Sequence, residues 1–175
     1  MKFKIAILCA ARDSSYFDIP SDIYELDIYT IQRPLKYFSD SIPVIAHPPC
    51  AQWSRLHKSA NYNAAEKQLA FDCFHLVRKN GGILEHPHGS HFMREVIGYD
   101  NCQQVNQSWF GFKARKSTLL YMNKVKLLGA QLSSELPSTT VTEMLSDERA
   151  RSTIQFNKWL CDSVYNSFCI PILSH

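Results

Sequence analysis

The apolar triplet Val44-Ile45-Ala46 is followed, one residue later, by Pro48-Pro49, and this step constrains the fold more than any other part of the chain. Proline offers no N–H to a β-ladder and fixes its own φ, so a strand built on Val44–Ala46 must stop there and pass into a stiff turn. Cys50 closes that turn, which holds its thiol at a strand's C-terminal end. Gly81-Gly82-Ile83-Leu84-Glu85-His86-Pro87 repeats the pattern: an apolar strand entered through glycines and closed by proline, with Glu85 at its tip. Leu119-Leu120-Tyr121-Met122 is a third such run, preceded by the basic segment Lys113-Ala114-Arg115-Lys116.

Ile5–Ala11 reads as a buried first strand, and Ser21–Thr30 as a second centred on Ile23, Leu26 and Ile28. Asn63 with Glu66 three residues on is a helix start; Leu69, Cys73, Leu76 and Val77 share one face before Lys79-Asn80-Gly81-Gly82 ends it. Near-helical spacing of Ile154, Trp159, Leu160 and Val164 predicts one long closing helix over Asp147–Phe168, after Val141–Ser146 and ahead of Pro171. Strands separated by helices imply an α/β fold of three layers: a Rossmann-like, mostly parallel sheet carrying residues 5–11, 44–47, 82–85 and 118–122, with helices on both faces. Cys50 and Glu85 then fall on the same edge, where ligands bind in such sheets.

A chain of 175 residues, 45% of them apolar, is expected to form one domain over residues 1–175. Six cysteines, at positions 9, 50, 73, 102, 161 and 169, form no C-x-x-C pair, and no charged-then-apolar leader opens the chain. Reduced thiols and a cytoplasmic location are the expectation. No apolar run approaches the roughly 20 residues of a spanning helix, so no membrane partner is expected. The net charge of +3 permits nucleic-acid binding without requiring it.

A thiol on a stiff loop can serve as a nucleophile when its thiolate is stabilised, and a pyrimidine suits it because C6 accepts a soft nucleophile while C5 becomes carbanion-like. Arg12 and Asp13, just after the first strand, are placed to face a ligand crevice, or else to form a local ion pair or cap a helix. Arg115 and Lys116 suit phosphate. Trp53, Trp109, Phe110 and Phe112 offer faces for base stacking, or serve as core. A rival reading comes from His86, His88 and His91 beside Glu85, with His47 and His57 flanking the Cys50 loop. These could hold a divalent metal in a nuclease or hydrolase, although Pro87 prevents a helix from aligning them.

At these residues the chain resembles the DNA cytosine-5 methyltransferases. Pro49-Cys50-Ala51-Gln52-Trp53-Ser54 is similar to that family's Pro-Cys-Gln-x-Phe-Ser loop, with the Gln displaced by one position and Trp in place of Phe. Leu84-Glu85-His86-Pro87 resembles its Glu-Asn-Val motif, and Phe110–Lys116 a shortened form of the segment ending in Gln-x-Arg-x-Arg. The three matches keep the family's order over roughly 80 residues. The resemblance implies a methyltransferase-like sheet and a Cys50 nucleophile attacking C6. It further implies that Glu85 contacts N3 and the exocyclic amine of a flipped base, that Gln52, Trp53, Ser54 and His86 lie around the substrate, and that Arg115 and Lys116 hold phosphate.

Its cofactor would be S-adenosylmethionine; no glycine precedes Gly81 to form the family's Gly-rich loop, so the expectation is weak binding, with Arg12, Asp13, Ser14 and Ser15 as the residues at that crevice. Only 53 residues follow Met122, leaving no target-recognition segment. The partner is then a nucleic acid or nucleotide whose sequence is read elsewhere or not at all, and the small size suggests, by analogy, an accessory protein of a virus or mobile element. A non-catalytic nucleotide or nucleic-acid binder on the same fold is the second rival.

Overall fold

The computed structural model describes residues 1–53, 62–130, 133 and 136–169. Six strands form one mixed sheet: β1 (Phe3–Leu8), β2 (Tyr24–Ile28), β3 (Val44–Ala46), β4 (Gly82–Pro87), β5 (Cys102–Asn106) and β6 (Ser117–Asn123). Their spatial order is β2-β1-β3-β4-β6-β5. The first four run parallel, whereas β6 lies antiparallel to both β4 and β5. The sheet is therefore mostly parallel, with an antiparallel edge.

Strand alternation sends Ile5, Ile7, Ile45, Ile83 and Leu120 to one face, where the helix α3 (Ile154–Cys169) buries Phe156, Leu160, Cys161 and Val164 against them. Ala6, Leu8, Val44, Ala46, Leu84 and Leu119 point the other way, against Ala70, Cys73 and Val77 of the helix α1 (Ala64–Asn80). Helices thus cover both faces. The Asn63 side chain caps α1 by accepting from the Ala65 and Glu66 amides, as its spacing predicts. Gly82 is needed where β3 and β4 meet: a Cβ there would lie 1.8 Å from the Val44 carbonyl oxygen, and its φ is +133°.

Three expectations need correction. β1 ends at Leu8 rather than Ala11, because Cys9 turns the chain with φ +59°. The β1–β2 and β2–β3 connections carry single 3-10 turns, Ser15–Asp18 and Leu35–Tyr37, in place of helices. The closing helix is broken: a short α2 (Ser146–Ala150) precedes α3, and Arg151 between them is extended. Tertiary partners satisfy the break. Lys116 Nζ donates to the Arg151 carbonyl and Ser15 Oγ to the Ser152 carbonyl, while Thr153 Oγ1 donates to the Phe110 carbonyl and accepts from the Phe156 amide. No described helix is long and apolar enough to cross a membrane.

Candidate active site

From β1 the chain moves outward to β2 on one side, and β3 is laid down on the other. This makes the β1/β3 boundary the switch point at which open α/β sheets bind ligands, outside the strands' carboxyl ends. A cavity of about 420 Å³ lies there, within the range of small-molecule sites. The turn after β1 contributes Cys9 to Ala11 and Asp13 to Tyr16, and the Pro-Pro loop after β3 contributes His47 to Cys50. Glu85 and Pro87 come from β4, Lys116 from the approach to β6, and Arg149 to Ser152 with Asn157 from the broken helix. Cys50 and Glu85 therefore share one cavity, as the strand-end argument expects.

Glu85 is buried, and its carboxylate accepts from three side chains: Gln107 Nε2 (3.2 Å) and Thr118 Oγ1 at Oε1, and His47 Nδ1 (3.1 Å) at Oε2. Burial alone would raise its pKa. The bond and charge of His47, the Lys116 charge and the Thr118 bond outweigh that and hold it down at about 2. His47 is bonded on its other side, with Nε2 2.8 Å from the hydroxyl of buried Tyr16. Burial, followed by the charges of Cys161, Glu85 and Tyr24, lifts the Tyr16 phenol well above its ordinary value.

Cys50 is exposed at the cavity lip. The surrounding walls still push its thiol pKa up, the Glu85 charge adds to this and the Lys116 charge opposes it. In the resting protein the group is a thiol. Burial lowers the Lys116 pKa against the opposing pull of Glu85 and Cys50.

Not every residue singled out in the sequence reaches the cavity. Arg115 is exposed and lies by another depression beside Pro137 and Val141, one residue out of phase with Lys116. Trp53 is buried on the α1 face against Phe92, at 4.9 Å between ring centroids, and Gln52 accepts from the Asn63 amide. Ser54 and His57 lie outside the described residues. His86 points away from Glu85 because neighbouring strand residues face opposite sides. It is fully buried beside Phe92, with no hydrogen-bond partner for either ring nitrogen among the described residues. Burial pushes its pKa down to about 4, against the opposing pulls of the Glu85 charge and the Pro49 carbonyl.

His88 is exposed, and His91 sits with Glu95 and Arg94 at 3.1 and 2.7 Å. Among the described residues no group of three or more His, Cys, Asp or Glu side chains could hold a metal ion. Phe110 is core, against Phe156 and Trp159, whereas Trp109 is 40% exposed. Sequence reasoning missed Tyr16, Arg149, Arg151 and Asn157, all of which line the cavity. An Arg-rich stretch, Arg149-Ala150-Arg151, was the one available signal for two of them.

The turn after β1 carries no glycine where the resemblance implies a Gly-rich loop. Cys9 takes the positive φ that a glycine would supply, and its Sγ lies 3.5 Å from Cys73 Sγ. Arg12 is exposed outside the cavity, and Asp13 pairs with Arg151 at 2.5 Å. The Ser14 side chain accepts from the Tyr16 amide, and Ser15 Oγ is bonded to the Ser152 carbonyl and to Asn157 Nδ2. Asp13, Ser14 and Ser15 thus line the cavity while bonded within the protein. Comparison with protein-family models gives no match, and neither does comparison with curated proteins.

Proposed function

We propose that the protein is a pyrimidine-modifying enzyme, of the cytosine-5 methyltransferase type in its nucleophile chemistry, in which Cys50 adds to C6 of a nucleotide or nucleic-acid base. The observation carrying this reading is the convergence of Cys50, Glu85 and Lys116 on one cavity at the β1/β3 switch point. A carboxylate has about four acceptor positions. Three of Glu85's are taken, which leaves one for a single N–H donor such as a cytosine amine. Lys116, Arg149 and Arg151 bring cationic charge to the same cavity, suited to phosphate. A duplex substrate would require the base to be flipped out.

In the proposed step the Cys50 S–H loses its proton, the S–C6 bond forms and the C5=C6 π pair moves onto C5. Protonation of C5 by solvent, loss of the original C5 proton and cleavage of C6–S restore the ring and the thiol. No donor is consumed, so this half of the chemistry is measurable alone, and no step is routed through S-adenosylmethionine. In D2O the protein should exchange the C5 hydrogen of dCMP, or of a short cytosine-containing strand, as followed by proton NMR. Cys50→Ser should abolish exchange without altering the circular dichroism spectrum. Exchange that survives this substitution, or wild-type protein inert toward both probes, would defeat the reading. The raised Cys50 thiol favours a second reading, a nucleotide binder without covalent chemistry, which retained dCMP binding in the absence of exchange would select.

A further inference from the structure

The cavity that Cys50 lines also holds a hydrogen-bonded chain that the addition chemistry above leaves unused. Glu85 Oε2 meets His47 Nδ1 at 3.1 Å, and His47 Nε2 meets the Tyr16 hydroxyl at 2.8 Å. An ionised carboxylate only accepts, so His47 Nδ1 must carry the proton. Whenever the His47 Nε2 carries no proton, its lone pair accepts from the Tyr16 O–H. A relay through these groups uses the arrangement carboxylate, Nδ1–H imidazole, phenol. Tyr16, His47 and Cys50 all line the same cavity.

We propose that Tyr16 and His47, backed by Glu85, form a proton relay that accepts the Cys50 proton as Cys50 attacks. This rests on the reading of Cys50 as nucleophile. The Cys50 proton passes to the Tyr16 oxygen, directly or across one water, while the Tyr16 proton passes to His47 Nε2. The product is an imidazolium against the Glu85 carboxylate, and the thiolate's electron pair enters the new bond to carbon. When C6–S breaks, the sulfur takes both electrons and the protons run back. Nothing is oxidised or reduced. Tyr16 is the catalytic group, and His47 and Glu85 position and charge-balance it.

The relay answers a need the site creates, since Cys50 is a thiol beside a carboxylate and requires a base at the moment of attack. The titratable and charged groups around the relay come from several elements: Tyr24 of β2, Glu85 of β4, Lys116 ahead of β6 and Cys161 of α3, together with Cys50 on His47's own loop. Among the described residues none of these but Glu85 is hydrogen-bonded to His47, so the tautomer is held by Glu85.

The test uses the full chain and needs no pyrimidine. Alkylation of Cys50 by iodoacetamide is followed by peptide mass spectrometry across a pH series, with exposed Cys169 as internal reference. Tyr16→Phe removes one hydroxyl and leaves the His47–Glu85 pair intact. It should slow Cys50 alkylation about tenfold near pH 7 and have no effect above roughly pH 10, where hydroxide ionises the thiol unaided. His47→Gln should do the same, and Cys169 should not change in either variant. Cys50 rates equal to wild type at every pH in Tyr16→Phe would overturn the relay; that variant decides even if His47→Gln fails to fold. A relay-dependent alkylation profile without C5 exchange would keep the relay and remove the pyrimidine, so the two proposals fail separately.

Discussion

Replacing Glu85 with Gln tests the electrostatic design of the cavity most directly. Glu85 is 8% exposed and its pKa falls from an ordinary 4.5 to about 2, which corresponds to about 3 kcal/mol favouring the ionised over the protonated carboxyl in the folded protein. The folded value lies below the unfolded one. The stabilisation is therefore fully present above about pH 5 and is lost as the pH falls toward 2. Gln keeps the shape, and its oxygen can still accept from Gln107 and Thr118, but it lacks the charge and turns an N–H toward His47 Nδ1–H. Urea denaturation followed by tryptophan fluorescence should show Glu85→Gln to be less stable than wild type by about 3 kcal/mol near pH 7, the gap closing toward pH 2.5. Exposed carboxylates are common to both proteins and cancel in the difference. A gap that stays constant across that range would refute the claim that the ionised carboxylate, rather than side-chain shape, stabilises this site.

Two further substitutions probe the scaffold. His86→Leu should raise the urea midpoint near neutral pH by removing from the core two ring nitrogens that have no hydrogen-bond partner among the described residues. It should also abolish the loss of stability that wild type shows as the pH falls from about 6.5 to about 4, because the folded protein resists protonating this ring. Gly82→Ala should cost about 3 kcal/mol or more, lowering the melting temperature by roughly 10 °C, with calorimetry as the check, since its Cβ would overlap the Val44 carbonyl.

Much of the site's skeleton was written locally. An apolar triplet closed by Pro-Pro ends β3 before Cys50, the Gly81-Gly82 entry sets β4, and Asn63 starts α1, because each depends on φ restriction, missing donors or capping within a few residues. These constraints suffice to put a thiol and a carboxylate on neighbouring strand ends. β5 was not legible, since only Val105 in Cys102–Asn106 is buried; its polar residues become a strand through pairing with β6. The antiparallel direction of β6 and the break before α3 were likewise hidden, because the groups that satisfy Arg151, Ser152 and Thr153 lie far back in the chain. Tertiary structure alone decided which of two adjacent cations, Arg115 or Lys116, enters the cavity, and which side of β4 is the working side, turning Glu85 in and His86 away. It also joined Tyr16, His47 and Glu85, which are 31 and 38 residues apart in successive steps. Alternation along a strand determines that neighbours face opposite ways, but only packing α1 and α3 on their respective faces decides which way is in.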